Sequence, residues 1–369
     1  MNIELKAKDL NDVLKKVSYT CLAKATLPVL RCVEIRASET GRITFTTTNL
    51  ETGVLAAITG EVYQPGATIV PFKTLHETCK NWKGTIPLTV EGKELIVNNI
   101  LHLKLQDHDD YSPIGEPPHI AAPATLRYDA VAKVIHAVST DEARPVLQGI
   151  CIDSMVKATD GFRLSQFPST HAPDKSVIIP ANTLKVFLKI NTLKTNAGMQ
   201  IEGDNVWIQI DADTFIKAVT IEGNYPDFNS ILPKVPAKHI ITVKTDELKS
   251  TLKTLLPFVK QSTSCTNAVK YKAENGMLTI WGTGEDPDER MVFKLNAGLQ
   301  GNPIIYALNC QFVLDLLTVW DKDIISFELT AWNCPIVFKQ GEHTELIMPL
   351  NIMDEEDKKF NEEHKWKGE

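Results

Sequence analysis

Ser139–Leu164 reads STDEARPVLQGICIDSMVKATDGFRL, and the rest of the chain repeats its parts in altered form. Arg144-Pro-Val-Leu147 is a turn that feeds the alternating apolar run Gly149–Asp153, the pattern of a strand entering a core. Asp160-Gly161 is a strong two-residue turn signal. Phe162, Arg163 and Leu164 follow it, presenting an aromatic, a cation and an aliphatic together. No nucleophile here has a base beside it, so the stretch reads as a surface to be bound.

Working outward, the same plan occurs three times. Leu27-Pro-Val-Leu30 answers Arg144-Pro-Val-Leu147, and Thr48-Asn-Leu-Glu-Thr52 answers Ala158-Thr-Asp-Gly-Phe162. Ile69-Val-Pro71 with its following helix answers Val177-Ile-Ile-Pro180 with residues 181–190, and Asp109-Asp-Tyr111 answers Glu222-Gly-Asn-Tyr225. Apolar stripes at helical spacing predict helices over 8–18, 72–82, 128–139, 181–190, 245–259 and 310–320. The first helices of the copies start near residues 9, 129 and 246, a period of roughly 120 that marks a repeat of whole domains. Helices alternate with antiparallel strand runs, so the expected class is α+β. The expected domains are 1–118, 119–238 and 239–352. Residues 353–369, with seven acidic and four basic side chains, are expected to form a disordered or weakly helical tail, dispensable for folding.

Composition narrows the function classes. The 369 residues are 43% hydrophobic and 23% charged, as in a globular protein, and carry a net charge of −7. No run approaches a membrane span, and MNIELKAKDL reads as a strand rather than a secretory leader, so a cytoplasmic location is expected. Seven dispersed cysteines without CxxC spacing read as reduced thiols. His102, Asp107, His108, Asp109 and Asp110 read as a hydrated loop rather than a metal site. Gly282-Thr-Gly284 lacks the setting of a nucleotide fingerprint, and there is no Walker loop, HExxH or nucleophile elbow. No metal and no cofactor are expected. An enzyme using Asp153 and Asp160 as an acid–base pair remains the rival reading.

Taken together, Leu27–Leu30, Ser139–Leu147, Ala158–Leu164, Val177–Pro180, Glu222–Asp227 and Leu346-Ile-Met-Pro349 closely resemble the bacterial DNA sliding clamp family, the beta subunit of DNA polymerase III. The resemblance is collinear over about residues 1–352. It implies three similar domains per chain and a head-to-tail homodimer, closed into a six-domain ring with helices inside and sheets outside. Such a ring encircles duplex DNA without reading its sequence and has no catalytic activity. The implied partners are the replicative polymerase, the clamp loader and other proteins with clamp-binding motifs. This chain has Phe162 where the family usually has histidine, and its end reads Met348-Pro-Leu-Asn-Ile352 before an extra segment. A paralogous clamp serving another polymerase is therefore the alternative.

The expected DNA-facing cations are Lys8, Lys15, Lys16, Lys73, Lys80, Lys133, Lys185, Lys189, Lys249 and Lys253, off the apolar helix stripes; the resemblance adds Lys24 and Arg144 in loops near the duplex, with anchoring of its own turn the equal alternative for Arg144. The resemblance implies a partner-peptide pocket from Leu147, Thr159, Gly161, Phe162, Arg163, Leu164, Pro226, Ser230, Ile231, Asn309, Phe312, Leu346, Ile347, Met348, Pro349 and Leu350. Deleting Leu346–Leu350 is expected to abolish peptide binding and spare the dimer. Leu101 and Leu103, with Phe258 and Val259, are the expected ring-interface residues, core burial being their alternative role.

Overall fold

The computed structural model describes all residues except 22–24, 26, 108–110, 112–113, 121–123, 263–266, 287 and 365–369. The first repeat runs β1 (Asn2–Lys6), α1 (Ala7–Val17), β2 (Cys32–Ala37), β3 (Arg42–Thr48), β4 (Thr52–Thr59), β5 (Glu61–Gln64), β6 (Gly66–Pro71), α2 (Phe72–Cys79), β7 (Thr85–Glu91), β8 (Glu94–Val97) and β9 (Leu101–Lys104). The second runs β10 (Ala124–Leu126), α3 (Tyr128–Val134), β11 (Gly149–Ile152), β12 (Met155–Thr159), β13 (Arg163–Pro168), β14 (Val177–Pro180), α4 (Ala181–Ile190), β15 (Ala197–Glu202), β16 (Asn205–Asp211) and β17 (Thr214–Val219). The third runs β18 (His239–Lys244), α5 (Thr245–Val259), β19 (Ala268–Glu274), β20 (Met277–Thr283), β21 (Arg290–Gln300), β22 (Ile304–Asn309), α6 (Cys310–Val319), β23 (Ile324–Leu329), β24 (Ile336–Gln340) and β25 (His343–Ile347). A seventh helix, α7 (Glu355–Glu363), follows.

The chain divides into two compact units. One holds Met1–Val131, Ile152–Ser154 and Ser169–Glu222; the other holds Ala132–Cys151, Met155–Pro168 and Gly223–Glu369. Within the first unit, one antiparallel sheet is ordered β5-β1-β7-β8-β9 and another β10-β15-β16-β17-β4-β3-β2-β6. Within the second, strands run β11-β12-β13-β25-β24-β23-β18-β21-β20-β19-β22. The helix stripes bury against these sheets: Leu10, Val13, Leu14 and Val17 of α1, and Leu248, Leu252, Leu255 and Val259 of α5. Asp9 in the first turn of α1 and Lys15 and Lys16 in its last suit the helix dipole. Asn309 caps α6, its Oδ1 accepting from the Gln311 N–H at 2.9 Å. Two helices are shorter than expected: α2 stops at Cys79, and α3 tightens after Val134 into a 3₁₀ turn over Ile135–Ala137.

Backbone geometry confirms the repeat at single residues. The turn before β4 and the turn before β13 share one design: the Leu50 N–H bonds to Thr48 Oγ1, and the Gly161 N–H to Thr159 Oγ1, each at 3.0 Å. Both central residues have positive φ, 75° at Leu50 and 94° at Gly161. Thr48 thus corresponds to Thr159, one residue over from the sequence match. The segment leaving each repeat also bonds back to the edge strand before the second helix. Gln106, Ile221 and Leu350 donate their N–H groups to the carbonyls of Ile69, Ile178 and Ala307, at 2.9, 2.9 and 2.8 Å. Each acceptor lies three residues before its helix.

The segment after residue 352 departs from expectation. Asp354 caps α7 in a reciprocal capping box, Met353, Asp357 and Asn361 are buried, and Phe360 packs against the cluster of Ile305, Ala307 and Met353. Apolar and hydrogen-bonding contacts on one face supply what its charge-rich composition lacks.

Candidate functional site

Two seams join the repeats, one within each unit, and they follow one rule. The fourth strand of a repeat pairs antiparallel with the last strand of the next repeat: β4 with β17, and β13 with β25. By the turn correspondence, Gly53–Lys217–Trp207 across β4, β17 and β16 matches Leu164–Leu346–Val337 across β13, β25 and β24. The two rows have opposite fates. At the first, Ile114 fills the space above Gly53, where a Cβ would lie 2.3 Å from the Ile114 Cγ2, and Lys217 donates to the Ile114 carbonyl at 2.9 Å. What remains there is a cleft of about 100 Å³.

At the second row, Phe228 packs on Leu164, Val337 and Leu346, supported by Tyr225 and Leu232. The Tyr225 hydroxyl accepts from the Thr159 N–H at 3.1 Å and donates to the Gly149 carbonyl at 3.3 Å. This floor is closed, but its rim is open and apolar: Phe162 is 59% exposed, Ile231 41% and Met348 37%. Phe162 and Met348 are held together by the bond from the Met348 N–H to the Phe162 carbonyl, 2.8 Å. Three exposed apolar side chains around a seam offer a binding site for an apolar peptide.

Beneath the rim lies a dense polar layer. The Arg163 guanidinium bonds Asp160 Oδ2 at 3.0 Å, Asp315 Oδ2 at 2.8 Å and the His136 carbonyl at 2.6 Å, and its face lies 4.4 Å from the Phe312 ring centroid. Next to it the fully buried Glu345 meets His136 Nε2 at 3.0 Å and His343 Nε2 at 3.4 Å, and His343 bonds Ser165 at 2.8 Å. Burial pushes the Glu345 carboxyl upward, but the two histidines overcome it and hold it at about 2. Of the expected pocket residues, Leu147, Thr159, Leu164, Leu346 and Ile347 are buried, and Arg163 is bound to its neighbours. Thr159 fixes the turn by donating to the Arg163 carbonyl at 2.6 Å, with Gly161 at its bend. Asn309 is a helix cap, Ser230 donates to the Asp227 carbonyl, and Pro226, Phe312, Pro349 and Leu350 are half-buried. Asp160, the rival reading's general acid or base, accepts from the Phe162 and Arg163 backbone as well as from the guanidinium.

The expected cations divide by environment. Lys8, Lys15, Lys73, Lys80, Lys185, Lys189 and Lys253 are exposed, with Lys80 paired to Glu77 at 2.7 Å and Lys189 over the Tyr19 ring at 5.6 Å. Lys16 is tied to Asp211 and Thr214, Lys249 donates to the Leu317 carbonyl, and Lys133 is shared among the Val319 carbonyl, Asp321 and Gln340. Arg144 pairs with Asp141 at 2.9 Å and leans on the Gly161 turn, so it braces its own loop. Lys24 lies outside the described residues, as do His108, Asp109 and Asp110; His102 pairs with Glu94 at 3.0 Å.

Of the expected interface residues, Val259 is core and Phe258 packs against it, meeting the space above Gly284; Leu103 is buried opposite Leu95 and Leu101 is half-buried. Among the described residues, a strand edge of each seam-forming kind stands open. β9 ends its sheet, and β21 pairs with β18 only through Ala297–Gln300, leaving 290–296 with a neighbour on the β20 side alone. Beside them Ile100 is 68% exposed and Val292 52%.

This architecture has known counterparts. Residues 1–114 match the family model for the N-terminal domain of the DNA polymerase III beta subunit, and 123–227 match that for its central domain. This chain belongs to the DNA polymerase III beta-subunit family. The beta sliding clamp of Bacillus subtilis is 23% identical, over 93% of this chain and 96% of the relative. The Salmonella typhimurium clamp is 21% identical, over 89% and 93%, and the beta sliding clamp homolog GriR of Streptomyces muensis 24%, over 90% and 92%. Among solved structures, the Pseudomonas aeruginosa subunit superposes with a TM-score of 0.86 at 18% identity, covering 95% of this chain and all of that one. A P. aeruginosa clamp bound to griselimycin superposes at 0.85 with 18% identity and the same coverage. With the family established, the α+β class and the threefold domain repeat are its fold.

Proposed function

We propose that this chain is a DNA sliding clamp, a processivity factor that encircles duplex DNA and tethers a polymerase. The seam rule carries the reading. Each internal seam joins a β4-type strand to a β9-type strand, and one strand of each type is left over, β21 and β9. An open donor edge and an open acceptor edge in one chain make a heterologous, head-to-tail contact with a second copy. The domains are taken as 1–118, 119–238 and 239–352, and two copies give a ring of six.

In such a ring Lys8, Lys15, Lys73, Lys80, Lys185, Lys189 and Lys253 supply the contact with DNA. Ammonium groups on flexible stems meet phosphates without reading bases, which permits sliding. Lys16, Lys133 and Lys249, held by internal acceptors, contribute background potential instead. The groove rimmed by Phe162, Ile231 and Met348 takes the apolar anchors of polymerase, clamp-loader and other partner peptides. Each buried leucine or phenylalanine contributes about 1.5–3 kcal/mol, and Met348 adapts its wall to different sequences. No catalytic step is assigned to the chain, and its place is with DNA in the bacterial cytoplasm.

The test is retention after loading. At high salt the protein should stay on a closed circular plasmid and leave the same plasmid once linearised. Equal loss from both forms would reduce the interaction to ordinary charge attraction and overturn the ring.

A further inference from the structure

Helix α7 is held by a face built for it. Lys270 on β19 bonds Asp354 Oδ2 at 2.9 Å and also Asp357, two acids one turn apart. Lys272, two residues on, lies 4.4 Å from the Phe360 ring centroid, and Phe360 packs on the cluster of Ile305, Ala307 and Met353, as Trp281 does. Asn361 makes two bonds to the edge strand β22: its Oδ1 accepts from the Ile305 N–H and its Nδ2 donates to the Ile305 carbonyl, both 2.8 Å. The side-chain amide thus stands in for a neighbouring strand. Asp354, Asp357, Phe360 and Asn361 fall at i, i+3, i+6 and i+7, one helical face. The other face spends its charges on itself, in Lys358–Glu355 and Lys359–Glu363 pairs.

A nine-residue helix with this composition has little stability of its own, so its order derives from the face it meets. That face selects by charge, ring and amide at fixed spacing, which is the chemistry of peptide recognition. We propose that the outer face of β19, β20 and β22 is a second docking surface, whose ligand is an acidic helix of the pattern Asp-x-x-Asp-x-x-Phe-Asn. Residues 354–364 are its detachable ligand in cis. A tethered ligand acts at high effective concentration, so a free helix of the same pattern enters only when α7 is severed or outcompeted.

The experiment places a specific protease site after Ile352 and cuts the folded, full-length chain. The probe is a fluorescein-labelled peptide of residues 353–364, followed by anisotropy. The cut chain, washed free of its own helix, should bind the probe saturably and the intact chain should not. Lys270→Glu should weaken binding by about tenfold or more, as should Asn361→Ala in the probe. Salt raised to about 0.5 M should weaken it further. The proposal is overturned by a cut chain that keeps its circular dichroism yet ignores the probe. Binding indifferent to both substitutions would also overturn it. So would unfolding of the chain on cutting, which would make α7 an integral part of its domain.

Discussion

At the scale of single residues, Glu345 ties stability to pH in the acid range. Its folded value of about 2 lies below the ordinary 4.5, so its contribution to stability is full above pH 4.5 and is lost as pH falls toward 2. The difference is worth roughly 3 kcal/mol. Urea unfolding of Glu345→Gln should therefore show lower stability at neutral pH and a shallower acid limb than the parent; parallel limbs would count against the account. Arg163→Ala strands two carboxylates and uncovers Phe312, and should cost about 3 kcal/mol in the same assay. A change below about 0.5 kcal/mol would place Arg163 among ordinary surface cations. The motif around Arg163 was legible in the sequence because turn and strand signals are local. The histidine pair on Glu345 was not, because His136 lies 209 residues away and only β25 brings the two together. Lysine side chains were legible as a class, but which would find internal acceptors depended on distant carbonyls such as Val319 and Leu317.

At the scale of elements, open edges and filled cores are what sequence patterns confuse. Phe258 and Val259 end a helix stripe, and such a stripe reads the same whether its last turn meets a partner or its own sheet. Gly282 and Gly284 favour the sheet, since a Cβ at either would run into that pair. Phe258→Ala should lower stability by roughly 2 kcal/mol, a half-buried aromatic's share, and leave the dimer intact. Val292→Asp on the open edge of β21 should do the opposite: sedimentation should show monomers while the melting temperature holds. Reversed outcomes would return the interface to α5. The expected deletion of Leu346–Leu350 also changes meaning. Leu346 and Ile347 lie inside the β13–β25–β24 ladder, so their loss removes a core strand along with the groove.

At the scale of the whole molecule, the repeat was visible because each copy carries its own stripes and turns. The seams were not, because they pair strands on main-chain bonds that leave little trace in side chains. The same distinction governs DNA contact. Replacing Lys8, Lys15, Lys185 and Lys253 by glutamine should flatten the log–log salt dependence of loading by up to about 0.9 per lysine that meets a phosphate. A slope indifferent to all four would move the contact elsewhere. Partner binding should behave differently, and the reason is the guanidinium of Arg163. Each of its three nitrogens already bonds a neighbour and the residue is buried, so its charge is spent inside the protein rather than on a peptide's carboxylate. The groove is thereby an oily socket with its charge locked away underneath. Ionic strength then becomes a dial that separates the molecule's two attachments. Raised salt dissolves the grip on phosphate and leaves the grip on leucine and phenylalanine intact, so a clamp washed from open-ended DNA should come away with its polymerase still attached.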